Sequence, residues 1–242
     1  GCHTVLYDFN KKGWSEAAVK MGVVDLFPSK MMHPWQILGN ITPAIAKETG
    51  LAADCVVTSG IHDSNASLLP YLIKYHNKFL LATTGTWCVF LKPDATFSLT
   101  MKELARDTLY YLDAFGNPSR ASKFMGGDEH DYYVKKIKAK LGENPLQVKY
   151  NHELVQRIVR QKDCFILPTL HPGTGMFPKS KARIYNEEKF YSDVEYAYHV
   201  LVLSLAIRSF VGLNQVIIDT CEFSVYIEGG FRNNQIYLNI LA

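Results

Sequence analysis

Cysteine is scarce in this 242-residue sequence, and what there is has no pattern: five thiols, an odd number, without a C-x-x-C pair. Cys55, Cys88 and Cys164 sit in apolar, strand-like runs, where a free thiol behaves as a small hydrophobe. That argues against a disulfide framework and for a reducing, cytoplasmic setting. Charge of one sign is also lacking. A net charge of +3 with scattered lysines argues against a nucleic-acid partner. No long apolar run is free of polar residues. The longest, from 194 to 218, holds Glu195, His199, Arg208 and Gln215, which predicts a buried helix and no membrane partner. There is no signal peptide, a negative weakened by a chain that opens on Gly1, and no repeat or low-complexity tract. Chemical motifs are missing too. There is no Walker loop and no Gly-x-Ser-x-Gly elbow, which sets aside a serine hydrolase. The glycines of 171–175 lack the third glycine and the strand–helix context of a dinucleotide fingerprint.

What is present centres on residues 55–86. A β-branched run, Val56 to Thr58, stops at Gly60, and Asp63, Ser64 and Asn65 stand where a helix would start ahead of Leu68, Leu69, Leu72 and Ile73. A second apolar run, Phe79 to Ala82, leads into Thr83-Thr84-Gly85-Thr86, and Trp87 to Leu91 reads as the returning strand. A hairpin tip of hydroxyls and a glycine offers several backbone N–H groups to one anion. One unit thus sets a carboxylate at a strand-to-helix corner beside an anion-cradling turn, equipment suited to phosphoryl transfer. Each part has a plainer reading: Asp63 as a helix N-cap, the tip as an ordinary turn.

A third motif follows near the C-terminus. Val225-Tyr226-Ile227-Glu228-Gly229-Gly230-Phe231-Arg232-Asn233-Asn234 reads as a strand, a glycine pair and a helix start. The glycines let a flat ligand lie against the backbone, and an asparagine amide can hydrogen-bond beside it. With Gly60-Ile61-His62-Asp63, Thr83-Thr84-Gly85-Thr86 and Gly229-Gly230…Asn234 in this order, the sequence resembles the FGGY carbohydrate kinases. The His62-Asp63 pair and the Gly85-Thr86-Trp87 tip look most like the branch acting on deoxy-ketohexoses, the rhamnulose and fuculose kinases.

The resemblance implies an α/β chain of RNase H-like, actin/hexokinase-type ATPase fold, covering the end of a first domain and most of a second. Residues 1–76 would be the C-terminal part of the sugar-binding domain, and 77–242 a truncated nucleotide-binding domain. It implies transfer of the ATP γ-phosphate to a sugar hydroxyl, on a ketose of rhamnulose, fuculose, xylulose or ribulose type. Asp63 would be the catalytic base, with His62 and Asp63 on the substrate. Thr83, Thr84, Gly85 and Thr86 would hold phosphates, and Gly229, Gly230 and Asn234 the adenosine. His3, Thr4 and Asp8 would lie near the sugar, although a polar residue at a strand end is the simpler account of each. ATP and Mg²⁺ are the implied cofactors, ATP and a sugar the partners, and a homodimer is admitted. The family's first phosphate loop, Asp-x-Gly-Thr, is missing, so the chain reads as a central fragment without a metal ligand of its own. The other reading is a truncated or decayed relative that binds nucleotide weakly.

Elsewhere the pattern predicts a strand ending at Phe9, a helix over 14–21, a loop over 27–39, and a helix between Thr42-Pro43 and Gly50. A helix over 100–107, a strand over 108–114 and helices over 126–141 and 152–160 follow, then a strand over 164–167. Asp128, Glu129, His130 and Asp131 read as acids complementing a helix dipole, with a metal site the less favoured choice. From Ser192 a long helix places Val200, Leu203, Ile207, Val211 and Asn214 at spacings of three and four, inside an otherwise apolar surround.

Overall fold

The computed structural model describes residues 6–8, 10–28, 32–75, 78–93, 96–217 and 222–242. Cys2, His3, Thr4, Cys221 and the expected domain boundary at 76–77 lie outside them. The first segments are small and open. β1 (Tyr7–Asp8) and β2 (Gly13–Trp14) pair as an antiparallel hairpin, and α1 (Glu16–Lys20) follows under a Ser15 cap. The helix expected over 14–21 is therefore shorter, because Trp14 is spent on pairing with Tyr7. β3 (Ile37–Asn40) corrects the loop expected over 27–39: it pairs antiparallel with β4 (Val56–Thr58), with an irregular register between Ile37 and Gly39. Between them α2 (Pro43–Thr49) begins on Thr42, whose hydroxyl accepts the Ile45 N–H. It ends at Gly50, whose φ of 74° is the left-handed C-cap glycine supplies cheaply. Every residue of β3 and β4 is exposed.

The second part is built on one five-stranded sheet. α3 (Asp63–Tyr75) leads to β5 (Phe79–Thr84), which turns back as β6 (Cys88–Pro93). α4 (Met101–Leu104) opens on a capping box of Thr100 and Glu103, and β7 (Leu109–Leu112) and β8 (Pro118–Phe124) form the far edge. α5 (Gly126–Leu141), α6 (His152–Gln161), β9 (Phe165–Leu167), β10 (Arg183–Tyr185), α7 (Glu187–Phe190) and α8 (Val194–Val216) come next. β11 (Ser224–Gly229) then returns to the sheet and α9 (Gln235–Leu241) closes the described chain. The strand order is β11-β5-β6-β8-β7, with β11 parallel to β5 and the other pairs antiparallel.

Alternation along the strands sends side chains to two separate cores. Phe79, Leu81, Val89, Leu91, Ala121 and Tyr111 face Leu68 and Leu72 of α3. Leu80, Ala82, Cys88, Phe90 and Phe124 face the larger core under α8 and α9. α8 crosses close to the sheet at Gly212, where a Cβ would overlap the Phe90 ring, and the Ser122 hydroxyl donates to the Gly212 carbonyl at 3.2 Å. α8 is buried along most of its length, as a core helix should be. Of the stripe picked out by the spacing, Val200 is buried and Leu203 and Val211 pack partly buried against the core, while Ile207 and Asn214 face outward. Ile207 is 54% exposed and Phe210 62%, whereas Leu201, Leu205 and Leu213 turn inward.

β8 is missing from the sequence reading, because Pro-Ser-Arg-Ala-Ser-Lys-Phe has neither a β-branched residue nor a clean alternation. It is nonetheless an interior strand, paired with β6 and β7, with Ser119, Arg120 and Ser122 buried. Arg120 is accommodated because its donors are used. Nε donates to the Gln215 carbonyl at 3.0 Å, Nη1 to the Ser98 carbonyl at 3.1 Å and Tyr110 hydroxyl at 3.2 Å, and Nη2 pairs with Glu103. Hydrogen bonds from Thr100, with the Arg120 guanidinium, pull the Glu103 carboxyl down to about 2.

Candidate active site

The β5–β6 turn is a narrow tip. The Gly85 N–H donates to the Trp87 carbonyl at 3.0 Å, and nothing but that carbonyl, 3.9 Å away, lies near where a Cβ on Gly85 would be. The tip is wedged between two glycine-bearing corners. On one side Gly229, with φ of 83°, pairs with Thr84, and a Cβ there would run into the Thr84 backbone. The Thr84 hydroxyl donates to the Glu228 carbonyl and accepts the Phe231 N–H at 3.0 Å. On the other side α5 begins without a side-chain cap, and a Cβ on Gly127 would overlap the Gly85 carbonyl. Three backbone corners thus meet at van der Waals range, which only glycines at 127 and 229 permit.

Two cavities open on either side of this tip, and Thr84, Gly85 and Thr86 line both. The first, of about 580 Å³, is bounded also by His62, Asp63, Ser64, Thr83 and Trp87. Asp63 is the first residue of α3, one past the cap position. The His62 carbonyl accepts the Asn65 and Ala66 N–H groups, and the Asp63 carboxylate receives the adjacent Ser64 N–H at 2.6 Å. Its side chain is 91% exposed and lies 2.8 Å from His62 Nδ1. The carboxylate is exposed at the cavity wall, with one oxygen engaged by Ser64 and His62.

The second cavity, of about 730 Å³, takes its walls from α5, the segment 146–150 and the start of α9, with Gly230, Phe231 and Asn234 on one side. Here Asn234 ends a hydrogen-bonded chain with one consistent polarity. Its Nδ2 donates to the Tyr198 hydroxyl at 3.0 Å, which lies 3.1 Å from His130 Nε2, and His130 Nδ1 lies 3.3 Å from Asp131. Asn234 Oδ1 is taken by the Tyr237 N–H at 3.0 Å. Burial lowers the His130 pKa below its ordinary 6.5, favouring the neutral ring that can accept from Tyr198. The remaining Nδ2 hydrogen of Asn234 is the donor offered to the cavity.

The structure therefore gathers His62, Asp63 and Thr83 to Thr86 round the first cavity, with Gly229. It sets Thr84 to Thr86, Gly230 and Asn234 round the second. Asp8 borders neither: its carboxylate closes the β1–β2 turn, accepting the Asn10 and Lys11 N–H groups at 3.0 Å each. Gly127, Tyr198 and Glu228 also border the cavities, and no sequence motif singles them out as site residues. The nearest signal was the Gly-Gly before an acidic helical turn. Its acids go separate ways: Asp128 to His171 at 2.7 Å, Glu129 to buried Arg208, Asp131 to His130. Among the described residues, no group of three or more acids, histidines or cysteines gathers to hold a metal.

Known proteins share this architecture. The family model for the C-terminal domain of FGGY carbohydrate kinases matches residues 76–242. No curated protein matches the sequence. Among solved structures, a carbohydrate kinase from Novosphingobium aromaticivorans is 27% identical with a TM-score of 0.73, over 100% of this chain and 50% of that one. Xylulose kinase from Lactobacillus acidophilus (11% identity, TM-score 0.72, 98% and 48%) shares the fold. So does glycerol kinase from Plasmodium falciparum, solved with ADP (12%, 0.66, 98% and 47%). The chain spans about half the length of these structures. Its fold is the α/β, actin/hexokinase-type one, and it belongs to the FGGY carbohydrate kinase family.

Proposed function

We propose that these residues form one side of the cleft of an ATP-dependent sugar kinase, in a protein of its relatives' length. The observation that carries this reading is the tip shared by two cavities, with an exposed carboxylate in one and a glycine-and-amide corner in the other. Phosphoryl transfer needs such an arrangement: acceptor and nucleotide approach from opposite sides of the group that moves. Asp63 accepts the proton of the attacking hydroxyl, and His62 orients it. Thr83, Thr84, Gly85 and Thr86 hold the phosphates, the open side of Gly85 letting them reach backbone N–H groups. Gly230 and Asn234 receive the adenosine, while Gly229 fixes the corner on which they stand. Asp8 has no part in it beyond its turn.

The cavity walls fit a nucleotide, since Gly230 leaves room where a Cβ would meet only the Thr84 carbonyl oxygen, 3.5 Å away. The described residues do not supply a set of Mg²⁺ ligands. The ion would neutralise phosphate charge when bound. We assign 1–76 to the sugar-binding domain and 77–242 to the nucleotide-binding domain, in a cytoplasmic enzyme. The His62-Asp63 and Gly85-Thr86-Trp87 patterns favour a ketose of the rhamnulose or fuculose type. The full-length protein, incubated with ATP, Mg²⁺ and a ketose panel, should yield a sugar phosphate by mass spectrometry. Nucleotide binding with no sugar phosphate would support the decayed-relative reading instead.

A further inference from the structure

The register of the sheet aligns four residues on one rung. Glu228 lies opposite Thr83, Thr83 opposite Val89, and Val89 opposite Lys123. Residues on one rung project to the same face, here the face covered by α3. All four line the Asp63 cavity. One edge of its floor therefore carries a carboxylate and the other an ammonium, on backbones about 14 Å apart across three strand spacings. The carboxylate is held: Glu228 Oε1 accepts the Tyr71 hydroxyl at 2.8 Å.

The ammonium is held only loosely. Lys123 Nζ sits 5.0 Å from the Trp87 ring centre, and its side chain is 25% exposed. Asp107 Oδ2 lies 4.0 Å away, at the outer limit of an ion pair, and the same oxygen accepts the Gly175 N–H at 3.1 Å. An ammonium on a side chain three-quarters buried, with so distant a counter-ion, favours an anion from outside the protein. No local sequence motif marks Lys123 as a site residue or as part of a strand.

We propose that Lys123 is an anion-contacting residue of the acceptor cavity, its ammonium meeting an anionic oxygen group of the bound reactants. This rests on the kinase reading. The oxygen group has two sources: the carboxylate of a sugar-acid acceptor, or the phosphoryl group in transfer.

Lys123→Met keeps the stem on Trp87 and removes the charge; Lys123→Arg keeps the charge. Both are made in the full-length protein, with Asp107→Asn as the control for a purely structural pair. Kinetics with gluconate and with neutral ketoses separate the sources. A carboxylate source gives Lys123→Met at least a tenfold higher KM for gluconate and unchanged constants for ketoses. A phosphoryl source gives at least a tenfold lower kcat on every acceptor with acceptor KM unchanged. Either way Lys123→Arg stays within a few-fold of the native protein. Titration calorimetry with gluconate and with inorganic phosphate reads the contact without turnover, so it holds even if no acceptor is phosphorylated. Native protein should bind at least one of them, and Lys123→Met at least fivefold more weakly. Equal binding by the two, binding of neither by the native protein, or a loss in Asp107→Asn as large as in Lys123→Met, overturns the proposal.

Discussion

Two adjacent glycines, Gly229 and Gly230, look interchangeable in the sequence and are not. Gly229 has φ of 83° and its Cβ direction points into the Thr84 backbone, so the fold requires it. Gly229→Ala should cost about 2 to 4 kcal/mol, from the left-handed backbone and the overlap together. Denaturant unfolding reads this directly; a loss below 1 kcal/mol would show that the corner relaxes. Gly230 has ordinary contact distance on its Cβ side and faces the larger cavity. Gly230→Val should therefore leave the unfolding midpoint nearly unchanged while raising the KM for ATP at least tenfold more than that for the sugar. Equal rises in both constants would place Gly230 outside the nucleotide site. The motif was legible as a pair; the division of labour inside it needed the Thr84 partner, which lies 145 residues away.

At the scale of elements, β8 and the helix α8 show where sequence pattern ends. Strands rich in Val, Phe and Leu, and helices with Thr, Pro and Gly punctuation such as α2, were readable because local propensity and burial agree there. β8 was not, since its polar residues are satisfied only by distant partners: Arg120 by Glu103, Tyr110 and the last turn of α8. Arg120→Met should destabilise by about 3 kcal/mol, the low end for a broken buried pair because Glu103 stays one-third exposed. A change under 1 kcal/mol would show that water replaces those bonds.

The buried rings on α5 and α8 add a pH effect of definite sign. Burial lowers the pKa of both His130 and His199, so the unfolded chain takes up protons before the folded one does. Their contribution is complete above about pH 6.5 and is lost as pH falls toward the depressed folded values, by up to about 1.4 kcal/mol per pH unit for each. His130→Gln should lose less stability than the native protein between pH 7.5 and 5.5, compared by urea unfolding. Identical losses would contradict a neutral, buried His130.

For the whole molecule, the sheet is scaffold and its β5–β6 tip is the divide between two cavities. The order of the three motifs made that divide readable. What they could not convey is the role of α5, whose Gly127 presses on the tip, and of Tyr198 and His130, which orient Asn234. Those contacts are tertiary, and no local pattern encodes them. The central claim is that the exposed carboxylate beside the tip removes a proton during transfer. Its most direct test is Asp63→Asn in the full-length protein, with ATP and sugar binding measured beside turnover. The account predicts both affinities within a few-fold of native and kcat lower by about a hundred- to ten-thousand-fold. A kcat within a few-fold of native would reduce Asp63 to a helix-start residue and contradict the account.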